Sequence, residues 1–209
     1  MSAGADALGL VGPMPSGTGI VDLPTARTLA AMTPPPLASF LLTSATDPER
    51  LAAEVLAVGP AVLQIVDRVP AVVYHRLRAE SPALRLVQVV HVAGFEETLD
   101  EARAAAEACD AVLLDSGSRE GAVALLGGTG RVHDWSVSRR IVEALAKPVI
   151  LAGGLRPGNV AEAVRTVRPF AVDVCTGLRT DGRLDPAKLR AFVGAVAEAD
   201  RGIAALAAS

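Results

Sequence analysis

The 209-residue sequence predicts an α/β fold of parallel strands joined by helical crossovers, either a parallel barrel or a doubly wound sheet. Short apolar runs alternate with alanine-rich stretches, each pair spanning roughly 20 to 30 residues, the length a parallel return path needs. The apolar content is mostly Ala, Val and Leu, with 3% aromatics, which suits strands buried under helices on both faces. No Pro/Gly-rich linker, composition shift or sequence repeat divides the chain, so one domain over residues 1–209 is expected.

The elements follow in order. Ala7–Val11 reads as a buried strand, and Leu23–Met32 as a helix with Asp22 as its N-cap. Leu37–Thr43 is a second strand. Asp47, Pro48 and Glu49 then open a helix to Ala57, with acids placed where the helix dipole favours them. Ala61–Val66 is a third strand, and Pro70–Ala79 a helix. Arg85–Val92 is a fourth strand before an acid-started helix, Glu96–Ala108. Asp110–Asp115 is a strand ending in an acid, and residues 116–134 form a glycine-rich connection. Trp135–Leu145 is a helix capped by Asp134. Val149–Ala152, Pro157–Val167, Phe170–Cys175 and Pro186–Ala197 complete the alternation as strand, helix, strand and helix. The count is about seven β/α units.

Composition excludes several functions. A net charge of −3 does not suit a dedicated nucleic-acid binder. No apolar run reaches the roughly 18 residues of a membrane helix. Residues 1–12 lack a basic start and a long apolar core, and two cysteines without a CxxC pair do not form a disulfide framework. The expectation is a cytoplasmic protein with no nucleic-acid or membrane partner. No His/Cys/Asp/Glu spacing resembles a metal site, and no Walker A, GxSxG or strand-anchored GxGxxG is present.

In either parallel architecture chemistry collects at the C-terminal ends of the strands. Asp115 ends an otherwise apolar strand, where an acid is costly unless it faces an open mouth. It reads as a general acid or base, or as a cap for the following loop. Gly127-Gly128-Thr129-Gly130 follows it, and Gly153-Gly154 and Thr176-Gly177 close the next two strands. Such turns bring backbone N–H groups to a phosphate, and they also serve plain tight turns. His91 ends a strand run, His75 belongs to a helical surface, and His133 precedes a cap. Cys109 and Cys175 read as small buried hydrophobes.

The stretches VLLDSGS, LGGTGRVHDW, PVILAGGLRPGNVAEAV, RPFAVDVCTG and LDPAKLRAF together resemble the phosphoribosylanthranilate isomerase family, and GADALGLVG resembles that family's second strand. The resemblance runs through the chain in order and is specific from residue 111 to 192. It implies a TIM (β/α)8-type barrel, here with the first β/α unit missing. It also implies an aldose–ketose isomerase of tryptophan biosynthesis, performing an Amadori rearrangement without a metal or organic cofactor on a small phosphorylated substrate. On this resemblance Asp115 is the acid, and the phosphate cradle falls on Gly128, Gly130, Gly153, Gly154, Thr176 and Gly177. Asn159 supports the turn after Gly154, and Asp173 orders the end of the last strand.

The departures are equally specific. The chain starts beyond the first strand, where the family carries a Cys base, so Cys175 at the mouth is a remote substitute. Gly19 stands where the family places an arginine that contacts anthranilate, and Gln64-Ile65-Val66-Asp67 replaces a histidine motif. The alternative is a divergent or non-catalytic phosphate-binding barrel acting on another phosphoribosyl compound. An aldolase-type barrel would need a Schiff-base lysine at a strand end, and none is placed there.

Overall fold

A computed structural model describes residues 4–15, 17–116 and 134–207. The strands are β1 (Ala7–Val11), β2 (Ala38–Thr43), β3 (Val62–Ile65), β4 (Arg85–His91), β5 (Ala111–Asp115), β6 (Val149–Leu151) and β7 (Ala171–Val172). They form one sheet in the order β1 to β7, each parallel to its sequence neighbour. The helices are α1 (Leu23–Ala31), α2 (Pro48–Val58), α3 (Ala71–Glu80), α4 (Phe95–Ala108), α5 (Trp135–Ala144), α6 (Val160–Val167) and α7 (Pro186–Ala207).

The sheet is curled into a barrel wall. Six spacings of about 4.8 Å would put the ends of a flat seven-stranded sheet about 29 Å apart. Instead, Val11 of β1 and Asp173, just past β7, line one cavity, and Cys175 Sγ lies 3.6 Å from the Thr18 carbonyl oxygen. Side chains alternate accordingly. Val62, Val87, Val89, Ala111, Leu113 and Ile150 pack inside the curl. Their neighbours Leu63, Ile65 and Leu86 pack outward under the helices, as do Val90, Val112, Leu114 and Val149. Strands β3 and β5 are buried along their whole length, which explains why their sequences are apolar apart from Gln64 and the terminal Asp115.

The helix starts are fixed by short polar side chains. Asp22, Asp47 and Asp134 accept from the amides of Thr25, Arg50 and Ser136 at 2.8, 2.8 and 2.9 Å. Gly59 ends α2 with a left-handed φ of 66°.

Three details differ from the sequence expectation. Helix α6 begins at Val160, because residues 157–159 form a turn held by the Asn159 side chain. Helix α7 continues to Ala207, since Ala199 is fully buried and Ile203 packs onto the α6 cluster. After β7, Thr176–Leu178 form a 3-10 turn, and β8 (Arg179–Thr180) pairs with β9 (Arg183–Leu184) as a small antiparallel hairpin. Its tip, Asp181-Gly182, has φ values of 51° and 75°, the combination that Asp-Gly turns favour. Among the described residues, β1 ladders only with β2, apart from a single parallel bridge between Val11 and Ile20, and β7 pairs only with β6.

Candidate active site at the strand C-termini

The cavity at the mouth is lined from strands β1 to β5 by Val11, Leu42, Gln64, Val89, Leu113 and Asp115, and by residues just past β6 and β7. Gly153, Gly154, Asp173, Cys175 and Thr176 complete its far side, and Gly17 and Thr18 of the loop after β1 close it. Three of the expected cradle residues, Gly153, Gly154 and Thr176, therefore share one cavity with Asp115. Gly177 packs behind it. Gly128, Gly130 and His133 lie outside the described residues.

Asp115 is delivered by β5, whose apolar residues are buried on both sides and set its register. It is itself buried, and one carboxylate oxygen accepts from the Ser116 amide at 2.7 Å. In the sheet it stands opposite His91 of β4, which is half-buried and outside the cavity lining. Asp173 is held by its amide, which donates to the Leu151 carbonyl at 2.9 Å. Although the residue as a whole is half-buried, its carboxyl is enclosed. Burial first, and then the charge of Asp115, push its pKa up to about 6, while the Val174 amide pulls it back. The mouth thus holds two interacting carboxyl groups, Asp115 and Asp173.

The cradle is built by close backbone approach. Gly153 (φ 86°) and Gly154 (φ 63°) follow β6, and a Cβ on Gly153 would fall onto Ser116 Oγ. A Cβ on Gly177 would fall onto the Leu155 carbonyl oxygen, so the turns after β6 and β7 interlock. Asn159 fixes the first turn as expected. Its Oδ1 accepts from the Arg156 amide at 2.8 Å, and its Nδ2 donates to the Gly154 carbonyl at 3.1 Å.

The remaining expectations divide. Cys175 is exposed at the mouth and free, which corrects its reading as a buried hydrophobe, because the chain turns outward after β7. Cys109 is buried and free, and burial pushes its thiol up to about 12, the behaviour of an inert core residue. His75 is exposed on α3. Among the described residues no cluster of His, Cys, Asp and Glu could hold a metal ion. None of their helices is long and apolar enough to cross a membrane.

Sequence reasoning missed Gln64, Met14 and Thr18 as cavity residues. Gln64 carried a signal, since a polar residue inside a fully buried strand needs a reason.

Fold and site define a class: a parallel β/α barrel with two carboxyl groups at its C-terminal mouth and tight glycine turns beside them. The family model for N-(5'-phosphoribosyl)anthranilate isomerase matches residues 47–195, and the chain belongs to that family. It is 42% identical over 201 residues to the N-(5'-phosphoribosyl)anthranilate isomerase of Haloferax volcanii, covering 93% of this chain and 84% of that one. With the enzyme of Methanocella arvoryzae the identity is 35% over 192 residues, covering 91% and 87%. Among solved structures, phosphoribosyl anthranilate isomerase from Thermococcus kodakaraensis superposes with a TM-score of 0.75 at 29% identity, covering 92% of this chain and 88% of that one. A phosphoribosyl anthranilate isomerase in complex with reduced 1-(o-carboxyphenylamino)-1-deoxyribulose 5-phosphate shares the fold, with a TM-score of 0.74 at 24% identity and coverages of 94% and 89%.

Proposed function

We infer that this chain catalyses the Amadori rearrangement of N-(5-phosphoribosyl)anthranilate to the 1-deoxyribulose 5-phosphate adduct, an intramolecular oxidoreduction in tryptophan biosynthesis. The observation that carries the reading is the opening of Asp115 onto the same cavity as the Gly153, Gly154 and Thr176 turns. Acid and anion cradle then meet opposite ends of one phosphoribosyl substrate. A cytoplasmic location and a small phosphorylated molecule as the sole partner belong to this reading.

The reaction needs two proton transfers. Asp115 gives a proton to the ribose ring oxygen, the C–O bond breaks, and the nitrogen lone pair forms the Schiff base. A base then takes the proton from the adjacent carbon, and the C–H electrons move to give an enolamine, which tautomerises to the ketone. Asp173 is the second group. Its carboxylate faces the same cavity, and its raised proton affinity makes it a stronger base than an exposed Asp. We assign the phosphate to the backbone N–H groups of Gly153, Gly154, Thr176 and Gly177, and the family resemblance adds Gly128 and Gly130.

The test is growth. Expressed in a tryptophan auxotroph lacking this isomerase, the chain restores growth without tryptophan, and the Asp115→Asn variant does not. A folded, well-expressed chain that fails to restore growth overturns the reading and leaves a phosphate-binding barrel for another phosphoribosyl compound.

A further inference from the structure

We propose that Arg179 is the substrate-binding residue for the aromatic carboxylate, reaching the mouth from the hairpin after β7 and seated on Gly19 of the loop after β1. The inference rests on the reaction proposed above, whose substrate carries two anions: a phosphate on the ribose and a carboxylate on the aromatic ring. The glycine turns after β6 and β7 account for the first. The second needs a cation, and the described cavity lining contains Asp115 and Asp173 but no lysine or arginine.

Arg179 supplies one at the rim. An added Cβ on Gly19 would lie 2.5 Å from its Nη2 and 3.3 Å from its Cζ, so the guanidinium occupies the space a side chain at 19 would take. Gly19 also has φ 82°, which disfavours any other residue there. Thr18, the next residue, lines the cavity. The arm is held at both ends. Nη1 donates to the Gly182 carbonyl at 2.8 Å, and the Arg179 carbonyl accepts from Lys188 Nζ at 2.7 Å. Among the described residues no carboxylate pairs with the guanidinium, which has five N–H donors and uses one of them on Gly182. A half-buried arginine held rigid, one residue from a ligand cavity and without an acid partner, is suited to a planar carboxylate.

Calorimetry with two probes tests this. One is reduced 1-(o-carboxyphenylamino)-1-deoxyribulose 5-phosphate, and the other is its phenylamino counterpart without the carboxylate. The proposal expects Arg179→Gln to raise Kd for the first by about 10- to 100-fold, the range of a charge-assisted hydrogen bond. It expects Kd for the second to stay within about twofold, and Arg179→Lys to recover part of the loss. Equal binding of the carboxylated probe by wild type and Arg179→Gln overturns the proposal. So does an equal loss for both probes, which would make Arg179 a phosphate contact or a strap between loop and hairpin. If Arg179→Gln does not fold, Arg179→Lys carries the same comparison. A wild-type chain that binds neither probe overturns the reaction itself, an outcome separate from failure of the arginine alone.

Discussion

Asp173 carries opposite consequences for function and for stability. Asp173 has a folded-state pKa raised to about 6, so ionising it works against the folded state. The folded chain then binds more protons than the unfolded chain between roughly pH 4 and 6, and stability falls as pH rises through that window. Asp173→Asn removes the effect. Its midpoint of urea denaturation at pH 7.5 is expected above that of wild type, with the difference vanishing near pH 4. The same variant is expected to lose the acid limb near pH 6 from the kcat/KM profile, because Asp173 must be ionised to accept a proton. Stabilisation together with loss of turnover would mark a group kept for chemistry. The cradle makes a third demand. Gly177→Ala drives a methyl into the Leu155 carbonyl, backbone against backbone with nothing flexible to yield. A cost of about 1–3 kcal/mol in denaturation is expected, with weaker phosphate binding.

At the level of elements, strands and helix starts were legible because single residues decide them. The strands of the large sheet are mostly apolar runs, and the Asp22, Asp47 and Asp134 caps announce the helices that follow. Asp47→Ala is expected to lower stability by about 1 kcal/mol, measured by urea denaturation, and to leave turnover unchanged because α2 starts away from the cavity lining. The end of α7 was less legible. No residue after Ala197 breaks a helix strongly, and packing of Ala199 and Ile203 on α6 carries it on, even across Gly202. The β8–β9 hairpin had a readable Asp-Gly signal, yet its two-residue strands are too short for a period to show. Asp115 and the glycine turns were visible because strand ends predict function in parallel sheets. The seat of Arg179 on Gly19 was not, because it joins residues distant in sequence and depends on how far the sheet curls.

At the scale of the molecule, curling places the two ends of the sheet side by side at the mouth. Strand β1 is largely exposed, with Leu8 at 43%, and among the described residues no strand pairs with its outer edge. The seam between β1 and β7 is bridged at the mouth by side chains, Cys175 on Thr18 and Arg179 on Gly19, where elsewhere in the wall backbone ladders do the joining. The cavity therefore draws residues from the first strand and from the turn just past the last, and substrate binding is expected to tie them. A saturating product analogue that binds only the folded state raises the thermal midpoint, and a concentration of 100 times Kd stabilises by about 2.7 kcal/mol.

This barrel is expected to turn over phosphoribosylanthranilate with Asp115 as its acid. The direct measurement is the loss of anthranilate-adduct fluorescence as substrate, generated in place from anthranilate and phosphoribosyl pyrophosphate, is consumed. The wild-type chain is expected to consume it, and Asp115→Asn to lower kcat by about 10²-fold or more while still binding the reduced product analogue. Turnover by Asp115→Asn equal to wild type, or a folded wild-type chain that binds the analogue and consumes nothing, would contradict the claim.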